Sequence, residues 1–410
     1  MKILIVSQYY PPESATIAPA IARGLAEKGH EVRVLTGFPN YPTGVVFDGY
    51  KQRWRQREFD GLVEVLRVPL YANHSMNALA RILNYTSFAL TAASARDFAK
   101  DVDVIYVYAT QMTPALGPWL WRKFGGAPFV LHVQDLWPDS ILGSSMVSSS
   151  RFRRVVETVL TPWLRSVYTD ASGVIGIAPT MVKTLIERGA SKECSGLIFN
   201  WGDDSVAERP AENSGRRNRS GTSILYAGNV GEMQDLKTVV RAARLVDDTS
   251  VKVRIVGDGV ALDEVKRLSD EIGATNVEFQ GRVPRNEMAR VYEQADFALV
   301  TLKDLPVFRG TIPSKFQASI AHGLPIVTNV QGDLKSLVED LEIGITAEAE
   351  SPESLARAFA KASEWTSREL EEARQRARDV YLESFSQTAG IDGVESVLFK
   401  AMEDASGRSS

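Results

Sequence analysis

Residues Asp203–Ser223 read DDSVAERPAENSGRRNRSGTS, a stretch rich in Ser, Gly, Arg and Asn and almost free of large apolar side chains. Such a composition suits an exposed connector, and residues 205–222 are read as a linker dividing the chain in two. On its N-terminal side, Ile3–Val6, Glu31–Leu35, Val63–Val68, Val104–Val107, Phe129–Val133, Val174–Ile177 and Gly196–Asn200 read as strands. Between them Ile17–Lys28, with Gly29 as its C-cap, Ala78–Phe98 and a long segment over Phe152–Tyr168 read as helices. The alternation restarts beyond the linker. Ile224–Ala227, Val251–Val256, Val277–Gln280, Phe297–Thr301, Ile326–Asn329 and Ile345–Thr346 read as strands, with helices at Leu236–Val246, Leu262–Ile272, Glu287–Gln294, Ser314–His322 and Leu334–Leu341. Strands separated by helices imply a parallel sheet covered on both faces, here twice over. The expected fold is therefore α/β: two Rossmann-like doubly wound domains, at 1–204 and 223–382, with an interdomain cleft. Ligands of open parallel sheets bind at the carboxyl ends of the strands. Residues 383–410 are expected to form a C-terminal helix that packs back on the N-terminal domain.

Bulk composition agrees with two globular domains. A chain of 410 residues is too long for one ordinary core, and 44% hydrophobic with 24% charged residues is an ordinary balance. A net charge of −4 leaves no electrostatic footprint for nucleic acid. The single cysteine, Cys194, has no partner for an internal disulfide, which fits a reducing cytosol. The apolar run at Ile3–Val6 is too short for a signal peptide, and Met76–Ala93 is broken by Arg81 and Asn84, short of the roughly 20 residues of a spanning helix. A soluble protein, at most peripheral to a membrane, is expected.

Few residues stand out for chemistry. Gly257-Asp258-Gly259 follows a strand and opens a helix, but no third glycine completes a dinucleotide fingerprint, so it reads as a strand-to-helix turn. Arg309-Gly310-Thr311-Ile312-Pro313-Ser314-Lys315 leads into a helix whose first turn suits Pro313. Backbone amides of Gly310, Thr311, Ile312 and Ser314, with the charge of Lys315 or Arg309, suit a diphosphate. His132 ends a central strand; it reads either as a hydrogen-bonding group at a reacting centre or as a packed strand-end residue. No His, Cys, Asp and Glu spacing suits a metal, and neither a Gly-x-Ser-x-Gly elbow nor a Walker loop appears. Lys51-Gln52-Arg53-Trp54-Arg55-Gln56-Arg57 and Trp119-Leu120-Trp121-Arg122-Lys123 mix aromatic and basic residues in a way that suits an anionic lipid surface or a lipid diphosphate.

Several of these segments resemble family 4 glycosyltransferases, closest to the fucosamine-transferase-like subgroup of bacterial surface-polysaccharide enzymes. The resemblance rests on Tyr9-Tyr10-Pro11-Pro12-Glu13, Gly29-His30-Glu31-Val32, Thr36-Gly37-Phe38-Pro39-Asn40-Tyr41-Pro42 and Asp135-Leu136-Trp137-Pro138. It continues through Ala227-Gly228-Asn229-Val230-Gly231, Gly281-Arg282-Val283-Pro284, Ile312-Pro313-Ser314-Lys315 and Gly323-Leu324-Pro325. The resemblance implies the GT-B fold and transfer, with retention, of a hexose or N-acetylhexosamine (deoxy forms included) from a nucleotide sugar, with UDP as the expected carrier. The implied acceptor is a sugar or a polyprenyl-diphosphate-linked sugar, met at the inner face of the plasma membrane by a cytoplasmic enzyme without metal or other cofactor. His132 falls on the family's active-site histidine, Arg282 and Val283 on its nucleobase loop, and Gly310 to Ser314 on its phosphate loop. Gly228, Asn229 and Gln234 fall on the donor loop after the first strand of the second domain. Glu13, Ser14, Asn40, Tyr41 and Asp135 are placed on the acceptor side.

The departures from the family are specific. Asn229 and Gln234 stand where many members carry Arg and Lys, and Gly310 and Ala318 stand where they carry paired glutamates. Ser14-Ala15-Thr16 replaces a Gly-Gly turn. Lys315 is thus expected to act in catalysis, with Arg309 beside it supplying lost charge. Two alternatives stay open at this point: a GT-B sugar-nucleotide epimerase, and a catalytically silent nucleotide-sugar-binding protein.

Overall fold

The computed structural model describes residues 1–73, 78–139, 154, 156–202, 204, 221–246 and 250–407. Residues 205–220 of the expected linker and 152, 153 and 155 of the expected long helix lie outside the described residues. The chain forms two compact units, Met1–Phe199 with Gly390–Ser410, and Asn200–Ala389.

The first unit is built on an eight-stranded sheet. Its strands are β1 (Lys2–Val6), β2 (Glu31–Gly37), β3 (Gln56–Asp60), β4 (Val63–Val68), β5 (Val104–Ala109), β6 (Phe129–Val133), β7 (Gly173–Gly176) and β8 (Ser195–Leu197). They lie in the order β3-β4-β2-β1-β5-β6-β7-β8. All neighbours are parallel except the β3–β4 hairpin, which pairs Gln56 with Arg67 and Asp60 with Val63. The central strands are apolar on both faces because helices cover both: Ile3, Leu4, Ile5 and Val6 are fully buried. Helices α1 (Ile17–Glu27), α2 (Ala78–Ala93), α3 (Leu116–Lys123), α4 (Thr161–Asp170) and α5 (Pro179–Glu187) supply that cover. The chain winds outward from β1 to β2, then returns to place β5 on the other side of β1. That reversal opens a crevice at the carboxyl ends of β1 and β5.

The aromatic-basic run Trp119–Lys123 forms α3, and its aromatics face inward. Trp121 is buried and donates its indole N–H to the Ala93 carbonyl at 3.0 Å. Trp119 donates to Asp170 at 2.9 Å, and Lys123 pairs with the same carboxylate at 2.6 Å. The C-terminal helix Gln387–Gly407 is tied to the α1–β2 turn. Lys28 reaches Asp392 and Glu395, each at 2.6 Å, and His30 Nε2 lies 2.6 Å from Glu395.

The second unit carries six parallel strands. These are β9 (Thr222–Ala227), β10 (Val251–Val256), β11 (Val277–Gly281), β12 (Phe297–Val300), β13 (Ile326–Thr328) and β14 (Gly344–Thr346), in the order β11-β10-β9-β12-β13-β14. Its helices are α6 (Leu236–Arg244), α7 (Leu262–Ile272), α8 (Met288–Glu293), α9 (Pro306–Arg309), α10 (Ser314–Ala321), α11 (Asp333–Asp340), α12 (Pro352–Glu364) and α13 (Ser367–Val380). Ile224, Val253 and Phe297 of the sheet pack in one cluster with Val239 of α6 and Leu355 and Phe359 of α12. A capping box between Thr366 and Glu369 starts α13. The strand order reverses between β9 and β12, which places the second crevice at their carboxyl ends.

Candidate active site

In the second unit, the loops leaving β9, β10 and β11 are stitched together by their backbones. Gly228 N donates to Val256 O at 2.9 Å, Val230 N to Asp258 O at 2.9 Å, and Gly257 N to Gly281 O at 2.8 Å. Gly257 has φ +141, and a Cβ there would stand 1.8 Å from the Gly228 carbonyl oxygen. No side chain fits, so Gly257-Asp258-Gly259 is a strand-to-helix turn whose glycines are also required by close backbone approach. The backbones of Gly228, Gly257 and Gly259 line a pocket of about 590 Å³ with the side chains of Arg282, Val283, Met288 and Tyr292. Tyr292 is held by a parallel stack on His322, with centroids 4.0 Å apart.

Lys315 lies beside this pocket, in the first turn of α10. A Cβ added at Gly228 would lie 2.6 Å from its Cε, so the lysine stem runs across the glycine. The ammonium donates to Gln234 Oε1 at 2.5 Å and sits 5.2 Å from the Tyr226 ring centroid. Tyr226 in turn donates its hydroxyl to the Asn229 carbonyl at 2.5 Å. Among the described residues no carboxylate pairs with Lys315, and burial lowers its pKa to about 8. The amine is charged at neutral pH and its partners are neutral. A polyanion brought to it would gain a charge-assisted contact and restore the amine toward its ordinary pKa.

The rest of that stretch is disposed differently. Arg309 is exposed and already grips Asp304 through two hydrogen bonds of 2.8 and 2.6 Å. This pair holds the Asp304 carboxyl below its usual range. Thr311 directs both its amide and its hydroxyl to the Phe308 carbonyl, at 3.3 and 3.0 Å, and Gly310 caps α9 toward the same oxygen. Ile312 is half-buried, and Pro313 is the N-cap of α10 rather than its first helical residue. The first-turn amides that lack helical acceptors therefore begin at Ser314, which is exposed. Asn229 is exposed at the pocket edge.

Two second-unit groups escaped the sequence reading. Tyr226 offers the face under Lys315, but inside a buried strand it reads only as core. Asp235 sits at φ +52, accepts from Thr238 at 2.8 Å and Asn329 Nδ2 at 3.3 Å, and is raised above the usual carboxylate range by burial. A lone aspartate ahead of a helix resembles any N-cap, so nothing in the sequence marks it.

In the first unit, His132 on β6 is fully buried. The Tyr106 hydroxyl lies 2.5 Å from its Nδ1, and the Tyr108 ring stands edge-on at 5.9 Å. Burial drives the imidazole down to about 3, against a smaller opposing influence of the Ile198 backbone. The ring is neutral at every physiological pH. Asp135 stands exposed two residues beyond the strand. Glu13 is buried, and its carboxylate accepts from the amides of Asn40 (2.7 Å), Tyr41 (2.8 Å) and Tyr10 (3.2 Å). It thereby fixes the loop after β2. Asn40 is fully buried and donates to Phe38 O at 2.9 Å, whereas Tyr41 is 42% exposed and tilts against Tyr9 at 5.3 Å. Ser14 is exposed.

Between these residues runs an amide chain the sequence reading missed. Gln111, just past β5, donates to Gln8, just past β1; Gln8 donates to Asn84 of α2 at 2.7 Å; Asn84 donates to Tyr71 O at 2.8 Å. The three amides are buried and come from segments far apart in sequence, so no local pattern announces them.

Two doubly wound, largely parallel sheets, each with a crevice at its carboxyl edge, and a glycine-lined pocket beside the Lys315 ammonium define an α/β protein of two units. Residues 14–194 match the glycosyl transferase 4-like domain and residues 210–380 match the glycosyl transferases group 1 domain. The chain is 30% identical over 375 residues to the "Putative colanic acid biosynthesis glycosyl transferase WcaI" of Escherichia coli strain K12, covering 87% of this chain and 90% of that one. It belongs to the family 4 glycosyltransferases of GT-B fold and is a glycosyltransferase. Among solved structures, HepE of Anabaena in complex with UDP superposes with a TM-score of 0.65 at 16% identity, covering 97% of this chain and 99% of that one. Sucrose-phosphate synthase of Thermosynechococcus elongatus gives 0.66 at 16% identity, with 98% and 99% covered. These two likenesses concern the fold.

Proposed function

We propose that this glycosyltransferase moves a hexose or N-acetylhexosamine, deoxy forms included, from a UDP-linked donor to a sugar or polyprenyl-diphosphate-linked sugar, with retention, in surface-polysaccharide synthesis. The observation that carries the reading is Lys315: a buried-stem ammonium with neutral neighbours, beside a pocket floored by glycine backbone. The naming of WcaI for colanic acid and the UDP complex of HepE support the substrate class. The nucleobase lies against Val283, Met288 and Tyr292 with Arg282 at the rim, and the diphosphate reaches Lys315 and the first-turn amides from Ser314 onward. As the bond between the anomeric carbon and the diphosphate oxygen breaks, negative charge grows on the leaving group, and Lys315 stabilises it where a metal ion would otherwise serve. The acceptor oxygen bonds to the same face of the anomeric carbon and its proton passes to the departing phosphate. His132 takes part as a neutral hydrogen-bonding group, since a base with a pKa near 3 holds no proton to exchange at pH 7. Glu13, through Asn40 and Tyr41, shapes the acceptor side together with Asp135.

No helix among the described residues is long and apolar enough to cross a membrane. The run Lys51–Arg57 leaves Trp54 62% exposed, although Arg55 is paired with Asp97 at 2.6 Å and Arg57 with Glu64 at 2.9 Å. Peripheral contact with the inner face of the plasma membrane rests on this segment and on the lipid-linked acceptor. A thermal-shift series with UDP, GDP, dTDP and their sugar conjugates tests the donor assignment. Stabilisation by the uridine series, abolished by Lys315→Ala, is expected. Equal donor affinity and turnover in that variant would overturn it.

A further inference from the structure

A second pocket, of about 340 Å³, lies wholly within the first unit, between α4, α5 and the turn at Trp137 and Pro138. Its volume is at the low end for small-molecule sites and suits a ligand of one or two rings. Trp137, Pro138 and Leu164 form apolar walls, and Tyr168 lines the pocket while fully buried. The Tyr168 hydroxyl is buried with no hydrogen-bond partner among the described residues. Buried hydroxyls are nearly always satisfied, so an orphan of this kind marks a place where something polar belongs.

The rim narrows the chemistry of that something. Arg188 is engaged twice, donating to Trp137 O at 2.8 Å and pairing with Asp139 at 2.6 Å. Arg165 and Glu187, both exposed at the mouth, have no ion-pair partner among the described residues. With Arg188 neutralised by Asp139, the charges left at the opening among the described residues are Arg165 and Glu187, one of each sign. A hydrocarbon ligand would leave the Tyr168 hydroxyl orphaned. An anion would gain Arg165 but face Glu187 and Asp139, and a cation would meet the reverse. A neutral polyol ring meets every feature at once. Its apolar face packs on Trp137, Pro138 and Leu164, its ring hydroxyls bridge Arg165 and Glu187, and a small shift of Tyr168, whose hydroxyl has no exposed surface in the ligand-free protein, lets one hydroxyl complete it.

We propose that this pocket is a carbohydrate-binding site, separate from the donor pocket of the second unit, which holds a single neutral pyranose. A site of this kind would retain a sugar residue of a growing glycan, raising its effective concentration by a second point of attachment.

The test is saturation-transfer NMR of the full-length protein with glucose, galactose and N-acetylglucosamine at millimolar concentration, in the presence of saturating UDP. Saturable transfer to at least one sugar is expected, reduced at least fivefold in Arg165→Ala and in Tyr168→Phe, with the thermal shift produced by UDP unchanged in both. Arg165→Ala alters only an exposed side chain and guards against a folding artefact. Transfer that is absent, or that persists undiminished in both variants, overturns the proposal, the second result placing the sugar elsewhere. Stronger displacement of the sugar by acetate or benzoate than by a second sugar would likewise overturn it in favour of an anion site. Failure of UDP to bind would count against the donor assignment and leave the sugar measurement readable without nucleotide.

Discussion

Lys315 Nζ and Gln234 Oε1 are 2.5 Å apart, a contact that seats a charged ammonium on a neutral partner. An amide, and no carboxylate among the described residues, holds the ammonium in place. On the proposed reading, Lys315 brings its charge to the donor diphosphate across the loop that carries Gly228.

Removing that side chain should therefore be severe. Lys315→Ala is expected to lower kcat/KM by about 10²–10³, or about 3–4 kcal/mol of transition-state stabilisation, with little change in melting temperature. Steady-state kinetics with a donor identified by the thermal-shift screen checks it.

Gly228→Ala should reproduce part of this loss without touching the lysine. The new methyl would stand 2.6 Å from Lys315 Cε, and φ of +142 is poorly tolerated by L residues. The backbone strain is on the order of 1–3 kcal/mol. Calorimetry should find weaker UDP binding, with the ammonium pushed from its seat over Tyr226. Unchanged affinity would show that the stem is free to move aside.

Donor affinity should fall with rising pH. With burial lowering the Lys315 pKa to about 8, the charged form prevails below that value and is lost above it. A bound diphosphate favours the charged form, so binding is fully present at pH 7 and weakens through pH 8–9.5, at most about tenfold per unit. A UDP-sugar is the right probe, since its diphosphate has no proton to exchange in that window. His132 should contribute no limb near pH 6–7, because its proton is lost near 3.

Glu13→Ala should act on the fold of the first unit rather than on nucleotide binding. Three amide donors would lose their buried carboxylate acceptor. A loss of about 2–4 kcal/mol is expected, from unsatisfied buried donors in a loop that can partly relax. Thermal denaturation with and without UDP separates the two effects: the baseline falls and the nucleotide-induced increment remains.

Tyr168→Phe is expected to leave the ligand-free protein as stable as the parent or more so, by about 1 kcal/mol, since it deletes a buried hydroxyl with no partner. A clear fall in melting temperature would reveal a structural bond to that oxygen.

Most strands of both sheets were legible because buried parallel strands are continuous apolar runs, as in Ile3–Val6 and Phe297–Val300. Strand β3 was not, since Gln56–Asp60 is a half-exposed edge whose only large apolar residue, Phe59, is 75% exposed. Helix α3 was hidden by its own composition: tryptophans beside Arg122 and Lys123 looked like a surface patch, whereas α2, α4 and Asp170 draw them inward. In the candidate site, glycine turns and Lys315 left local signatures, and Arg282 and Val283 were reached only through resemblance. Gln8, Asn84 and Gln111 left none, because their meeting is a property of strand order rather than of any segment. The engagement of Arg309 by Asp304, five residues earlier, was in principle legible, yet sequence spacing alone does not say whether a charge faces its neighbour or a ligand.

The interlock of Gly228 with Gly257 divides the donor pocket into a part that cannot vary and a part that can. A side chain at Gly257 or Gly259 would strike backbone, at 1.8 and 2.4 Å, and one at Gly228 would strike the Lys315 stem at 2.6 Å, so the floor has no room for variation. The wall formed by Val283, Met288 and Tyr292 hangs from a separate loop and helix and touches none of those glycines' missing side chains. On the proposed reading, a change at Val283, Met288 or Tyr292 would alter which nucleobase is preferred and leave the Gly257 turn intact.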